Sequence, residues 1–339
     1  MPITARTIEL AARPVGAPKP ADFRMVGAVL PDPGPGEVAL QALWLSLDPY
    51  MRGRMSEGRS YAAPTDLGQP LPCEVVARVV TSADPSLSPG DIVAVHDHWR
   101  DHAIRAARDC RRLDPALAPV QTALGVMGMP GMTAYTGLKH IGKPRAGETV
   151  VVGAASGAVG ALVGQIARLG GARVVGVAGG APKCAYVTGD LGFDACLDRN
   201  APDLAAQMAA ACPKGVDVYF ELIGGVIFDA VLPLLNQFAR VPVCGTIATY
   251  SATDLPSGPD RIPLLLRAIL TRSLTFRGFI VGEFWGDMPE FHAQMADWLA
   301  EGAIHYREDV THGFDNMVTA FIGLLEGRNF GKTLVKVAD

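Results

Sequence analysis

Eight small residues, Gly153-Ala154-Ala155-Ser156-Gly157-Ala158-Val159-Gly160, have the types and spacing to cradle an anion. An apolar run, residues 149–152, precedes them. A helical pattern follows, with Val159, Leu162, Val163, Ile166, Ala167 and Leu169 at three- and four-residue spacing. Gly170-Gly171 stops it, and a second apolar run, 173–177, begins. Strand, glycine turn, helix and strand make the βαβ unit of a doubly wound sheet. Gly157 lets the backbone approach a pyrophosphate, and Gly160 lets the helix pack close to the strand. The phosphates would sit on the helix N-terminus, where unpaired N–H groups and the dipole favour anions. The pattern is A-x-G-x-x-G, with Ala155 in the first glycine's place, so the turn alone also fits other α/β folds.

The end of the second strand distinguishes the dinucleotide. A site for an unphosphorylated ribose usually places Asp or Glu there, on the 2′-hydroxyl. This chain reads Val177-Ala178-Gly179-Gly180-Ala181-Pro182-Lys183. No acid is present and a lysine is, which points to NADP because a 2′-phosphate needs cations. The alternative for Lys183 is a solvated lysine in the first turn of a helix.

A chain of 339 residues, 49% of them hydrophobic and 19% charged, suits a soluble globular protein of about two domains. The net charge of −4 offers no basic stripe for nucleic acid. The N-terminus, MPITARTIEL, lacks a signal peptide's apolar core, and no run approaches a membrane span, so a cytoplasmic protein that does not enter membranes is expected. Cys73, Cys110, Cys184, Cys196, Cys212 and Cys244 are scattered without metal-binding spacing, and none is assigned a disulfide.

Residues 1–122 read as a β-rich domain. Apolar runs at 38–47, 73–80 and 91–95 are separated by proline and glycine turns, suggesting a partly closed antiparallel barrel. Leu47-Asp48-Pro49-Tyr50-Met51-Arg52-Gly53 interrupts it and places Tyr50 on a loop or short helix. Residues 123–300 read as the dinucleotide domain. After the first two strands, candidates lie at 195–197, 216–222, 240–244 and 274–281. Helical stretches lie at 182–189, 201–211, 226–235 and 262–270. The alternation predicts an α/β fold, a parallel sheet of about six strands with helices on both faces. Residues 301–339 complete the first domain: a helix over 314–325 leads to a final strand, 333–337. His96-Asp97-His98 with His102 is the one grouping that suggests a metal; the expectation is a polar loop after a strand.

Several stretches together resemble the zinc-independent medium-chain dehydrogenase/reductases, specifically their prostaglandin reductase, leukotriene hydroxydehydrogenase and alkenal double-bond reductase group with its curcumin-reductase-type members. They are residues 47–52, Gly128-Met129-Pro130-Gly131-Met132-Thr133-Ala134-Tyr135, the 154–160 turn, Cys244-Gly245 with Thr249-Tyr250, and Asn329 with Gly331-Lys332-Thr333. The resemblance spans nearly the whole chain. It implies a Rossmann domain beside a GroES-like barrel, a homodimer joined near 276–281, and NADPH-dependent reduction of a carbon–carbon double bond conjugated to a carbonyl.

Carried over by position, Ala154, Ala155, Ser156, Gly157, Ala158 and Val159 would hold the pyrophosphate. Lys183 would hold the 2′-phosphate, with Arg199 where the family often has tyrosine. Cys244, Gly245, Thr246, Ile247, Thr249 and Tyr250 would line the adenosine and nicotinamide path. Met129, Thr133, Leu222, Phe279, Ile280 and Val281 would add cofactor contacts, and Asn329 would reach in from the tail. Tyr250, Tyr135, Met129 and Phe279 are also candidates for the substrate pocket. Trp99 and His102 match positions that line or support the cleft. Hydride would add to the β-carbon, leaving enolate charge on the carbonyl oxygen. Tyr50 and the ribose 2′-hydroxyl are the candidate donors to it, and the α-carbon proton would come from water or a tyrosine. Pro72-Cys73-Glu74 stands where zinc relatives carry Gly-His-Glu, so no metal is expected. Gly282 and Leu222 depart from the family's tyrosine and asparagine. A quinone reductase, a zinc alcohol dehydrogenase and a catalytically silent NADPH sensor remain the rival functions.

Overall fold

Two runs rich in valine, Thr149–Val152 and Arg173–Ala178, pair as parallel strands, and the helix Gly160–Leu169 crosses between them. The first run is buried at every position, as a strand covered on both faces requires. The computed structural model describes residues 3–255 and 260–339. The chain divides into Met1–Gly125 with Glu308–Asp339, and Val126–Arg307.

In the second unit the six strands run in the order Ala195–Asp198, Arg173–Ala178, Thr149–Val152, Val216–Phe220, Leu235–Val243, Thr275–Gly278, all parallel. Numbered along the chain this is 3-2-1-4-5-6, the dinucleotide-binding order, with its switch point beside the first strand. Several boundaries differ from the sequence reading. The helix expected over 226–235 is Gly225–Val231 followed by a 3-10 turn, Leu232–Leu234, and Leu235 already begins the next strand. The strand expected over 274–281 is only Thr275–Gly278, because Val281–Asp287 coils into a 3-10 segment. A helix that periodicity missed, Met288–Ala300, buries only Phe291 and Met295. Its legible signal is Pro289 in the first turn with Glu290 beside it.

The first unit is built on antiparallel strands. Glu37–Ser46 pairs with Pro72–Ser82, which pairs with Ile92–His98. Glu37–Ser46 also carries His102–Ala106 and, at its far end, the C-terminal strand Lys332–Lys336. Glu308–His312, absent from the sequence reading, lies parallel to that last strand. His96-Asp97-His98 is a correction: it belongs to the strand Ile92–His98, not to a loop. Asp97 is buried and bonded to Arg105, while His96 faces out and meets Glu74 at 2.8 Å. Among the described residues no group of three or more His, Cys, Asp or Glu is placed to hold a metal ion. Of the two roles expected for Trp99, lining or supporting, its burial leaves only support: it is 0% exposed, stacked 5.5 Å from Phe23 and set edge-on to Phe321 at 5.3 Å.

The helix Gly160–Leu169 presses on Phe193. A Cβ on Gly164 would lie 1.8 Å from that ring, which is 3% exposed and has little room to turn. Gly164→Ala is therefore expected to cost about 1–3 kcal/mol, the usual penalty of overpacking. Urea unfolding measures it, and an unchanged midpoint would mean the ring relocates freely.

Candidate functional site

In the second unit, candidate segments gather where the parallel strands end. Thr149–Val152 leads into the 153–160 turn, Arg173–Ala178 into Gly179-Gly180, and Ala195–Asp198 into Arg199. Val216–Phe220 leads into Glu221-Leu222, Leu235–Val243 into Cys244-Gly245, and Thr275–Gly278 into Phe279. Ligands of open parallel sheets bind outside these carboxyl ends.

The turn is held by close backbone approach. A Cβ on Gly160 would lie 2.4 Å from the Ala154 carbonyl oxygen and 2.7 Å from that of Gly153. Only glycine permits this approach, and Ala154 turns with a positive φ of 47° to make it. Ala155 N–H donates to the Val177 carbonyl at 3.0 Å, tying the turn to the second strand. The N–H groups of Ser156, Ala158 and Val159 find no acceptor among the described residues. They stand at the head of the helix Gly160–Leu169, where such donors and the dipole suit a pyrophosphate.

The 2′ corner carries cations. Lys183 lies in the first turn of the helix Ala181–Gly189. The Arg199 guanidinium lies over Gly179, its Nε 3.1 Å from where a Cβ would stand. Asp198, which the sequence reading missed, accepts the N–H groups of Gly180 and Asn200, each at 3.0 Å, on one oxygen. Those bonds hold its carboxyl below the usual range. They fix both sides of the corner: Gly180 opens the Lys183 helix, and Arg199 adjoins Asp198. The residues present fit a 2′-phosphorylated dinucleotide.

Glu221 was also missed. It is 3% exposed, and its Oε1 accepts Ile223 N–H at 2.7 Å and Gly224 N–H at 2.8 Å. Its backbone oxygen takes Cys244 N–H at 2.9 Å and Gly245 N–H at 3.2 Å. One residue thus couples the two glycine turns beyond adjacent strands. Burial raises its carboxyl pKa despite these bonds. The legible signal was an acid directly before Leu222-Ile223-Gly224-Gly225.

The remaining candidates sort by contact. Leu222 is half-buried, and its carbonyl accepts Ile247 N–H at 3.3 Å. Gly245 leaves room for Tyr250, whose hydroxyl would meet a Cβ there at 3.1 Å. Thr249 donates to the Thr246 carbonyl at 2.9 Å, closing the Ile247–Thr249 turn. Burial raises the Cys244 thiol and keeps it neutral. Thr133 donates to the Met129 carbonyl at 2.7 Å inside the helix Met129–Thr136. Phe279 is 4% exposed, its ring packed on Phe220 and Phe284, so its side chain is core. Ile280 is exposed and its N–H donates to Glu283 at 2.9 Å; Val281 opens the 3-10 segment. Tyr135 is half-buried; its hydroxyl donates to Glu290 at 2.6 Å and its ring packs on Phe291 and Trp298, anchoring the helix Met288–Ala300. A Cβ on Gly282 would stand 3.6 Å from the Trp285 ring nitrogen, an ordinary contact.

In the first unit, Tyr50 opens the short helix Tyr50–Arg54. Its hydroxyl is 3.5 Å from the Pro72 carbonyl oxygen, too long for a strong bond, so the proton remains available to another acceptor. Burial, then the charges of Asp48 and Glu74, push the phenol pKa well above its ordinary value. Tyr50 is therefore a neutral donor. Asn329 lies in the same unit, its amide donating to the Gly331 carbonyl at 2.9 Å.

Residues 6–113 match a family described as the N-terminal domain of oxidoreductase, and residues 158–300 one described as zinc-binding dehydrogenase. The chain is 51% identical over 330 residues to the NADPH-dependent curcumin reductase of Escherichia coli, covering 97% of this chain and 96% of that one. It is 38% identical over 339 residues to prostaglandin reductase 1 of Sus scrofa, covering 98% and 99%. The crystal structure of CurA from Vibrio vulnificus in complex with NADPH superposes with a TM-score of 0.95 at 47% identity, covering 98% of this chain and 99% of that one.

Arg199→Ala is expected to weaken binding of a 2′-phosphorylated dinucleotide about tenfold to a hundredfold, the cost of a charge-assisted bond of about 1.5–3 kcal/mol. Binding of the 2′-hydroxyl analogue should not change. Fluorescence titration with both cofactors decides it; equal losses would take Arg199 away from the 2′-phosphate.

Proposed function

We propose, from the premise that this chain belongs to the zinc-independent medium-chain dehydrogenases/reductases, that it catalyses NADPH-dependent reduction of the carbon–carbon double bond of α,β-unsaturated carbonyl compounds. The observation that carries the reading is its likeness, along nearly its whole length, to an enzyme named for curcumin reduction with NADPH. The cationic corner of Lys183 and Arg199 supports the choice of NADP(H) over NAD(H). The proposed substrates are 2-alkenals, enones, and curcumin-like or oxo-lipid molecules. NADP binding is assigned to residues 123–300, and substrate binding to 1–122 and 301–339.

Bound NADPH is the source of the hydride that reduces the β-carbon. The protein's tasks are to hold the dinucleotide, to bind the carbonyl and to stabilise the negative charge that grows on its oxygen. The 154–159 turn holds the pyrophosphate. Lys183 and Arg199 hold the 2′-phosphate. The turns coupled by Glu221, with Ile280 and Val281, shape the nicotinamide surroundings. Tyr50 donates a hydrogen bond to the enolate oxygen, and its high pKa suits it to donate without ionising. Water then protonates the α-carbon, and the product is a saturated carbonyl compound.

The protein is proposed to act in the cytoplasm as a homodimer. No helix among the described residues is long and apolar enough to cross a membrane. Thr275–Gly278 is the last strand of its sheet, and the helix before it exposes Ile262, Leu264, Leu266 and Leu270 by 60% or more. Such an edge beside apolar side chains suits a second copy. Light scattering showing only monomer at micromolar concentration would remove that part.

The activity is tested by NADPH consumption with a 2-alkenal, an aryl enone, curcumin and a simple quinone, with NADH as control. A saturated carbonyl product formed preferentially with NADPH supports the proposal; quinol as the only product would move the chain to the quinone reductases. Tyr50→Phe should lower kcat/KM about a hundredfold to a thousandfold, as loss of one oxyanion donor does, with NADPH affinity unchanged. The phenol's raised pKa also sets a pH expectation. Tyr50 stays protonated through its ordinary value of about 10, so the Tyr50→Phe deficit should be the same at neutral pH and near pH 10. A deficit that vanishes as the pH approaches 10 would show that Tyr50 ionises.

A further inference from the structure

We infer that Lys332 is a positioning residue for Tyr50, acting through a buried ion pair with Asp48; this rests on the reading of Tyr50 as the oxyanion donor. Lys332 Nζ donates to Asp48 Oδ1 at 2.5 Å and to the Leu47 carbonyl oxygen at 2.9 Å. Ser46 Oγ donates to the other Asp48 oxygen. Leu47 N–H donates in turn to the Thr333 carbonyl at 3.2 Å. Residues 47–48 are therefore gripped by 332–333 through backbone and side chain together. Lys332 is 4% exposed and Asp48 5%.

The grip leads directly to Tyr50. The Asp48 carbonyl accepts Met51 N–H at 3.2 Å, so the residue held by Lys332 also starts the helix Tyr50–Arg54. An aspartate just before a helix commonly caps it with its side chain. Here no side chain caps the helix, and the Asp48 carboxylate is committed to Lys332 and Ser46. Among the described residues, the Tyr50 hydroxyl has only the long contact to the Pro72 carbonyl to fix it. Its direction then depends on the backbone that Asp48 anchors.

A buried ion pair is a costly way to hold a fold together. Burying two charges costs desolvation, and an apolar pair of similar volume often holds a fold as well or better. What the ammonium adds is direction, since its donors must meet two successive acceptors on one strand end. Asp48 is also among the charges that raise the Tyr50 pKa, and Lys332 is the cation opposing that carboxylate.

The test compares Lys332→Met, Tyr50→Phe and the double variant with the full-length enzyme, using NADPH and a turned-over enone. Lys332→Met is expected to keep the NADPH dissociation constant and to lower kcat about tenfold to a hundredfold, the range for a misplaced catalytic group. In that background Tyr50→Phe should add less than about a twofold further loss, because both changes remove one function. An unchanged kcat in Lys332→Met beside an impaired Tyr50→Phe would overturn the inference alone. Losses that multiply would also overturn it. A fully active Tyr50→Phe would overturn the Tyr50 reading and the inference with it. Should Lys332→Met not fold for want of a partner to Asp48, Asp48→Asn/Lys332→Met removes both charges together and takes the same comparisons.

Discussion

At Gly160 the helix after the first strand passes so near the preceding turn that no side chain fits; the Ala154 carbonyl would stand 2.4 Å from a Cβ. That contact fixes where the helix points. Ala154 takes a left-handed conformation beside it, with a φ of 47°. The contact lets Ala155 bond to the second strand, so the turn, the helix and both strands become one rigid piece. The six parallel strands then cover that piece as a sheet whose order reverses beside the first strand. The dinucleotide site is what remains at the carboxyl ends once this packing is satisfied.

Carboxylates outside the proposed chemistry hold the candidate segments in place. Asp198 fixes the backbone at Gly180 and Asn200, and Glu221 couples the turns at Ile223-Gly224 and Cys244-Gly245. In the other unit Asp48 does the same for the start of the Tyr50 helix. Asp48 and Glu221 are buried, Asp198 is only partly so, and each is bonded to backbone N–H groups or a cation. A buried carboxylate left unpaired costs heavily, so Asp48 and Glu221 tolerate only a narrow set of geometries. Precision at the site comes from that intolerance.

The sequence made the dinucleotide unit readable because its signals are local. The 3.6-residue period, the small-residue turn and the missing acid at Gly179-Gly180 all lie within about forty residues, which span the βαβ unit itself. Of the supporting acids Glu221 alone left a local signal; Asp198 did not, since its bond to Gly180 N–H joins residues 18 positions apart. Asp48 and Lys332 are 284 positions apart, and no period links them. His96-Asp97-His98 read as a loop because the buried position of that strand holds a charge, Asp97, paired with Arg105 in the next strand. The helix Met288–Ala300 escaped because two buried residues make too narrow a stripe to register.

The claim at the centre of this account is that hydride goes to the β-carbon of a conjugated carbonyl and not to the carbonyl carbon. Turnover of an aryl enone with NADPH deuterated at the transferring position, followed by NMR of the product, tests it most directly. The account predicts one deuterium on the β-carbon of a saturated ketone, with the α-carbon proton drawn from solvent. Deuterium on the carbinol carbon of an unsaturated alcohol would contradict it.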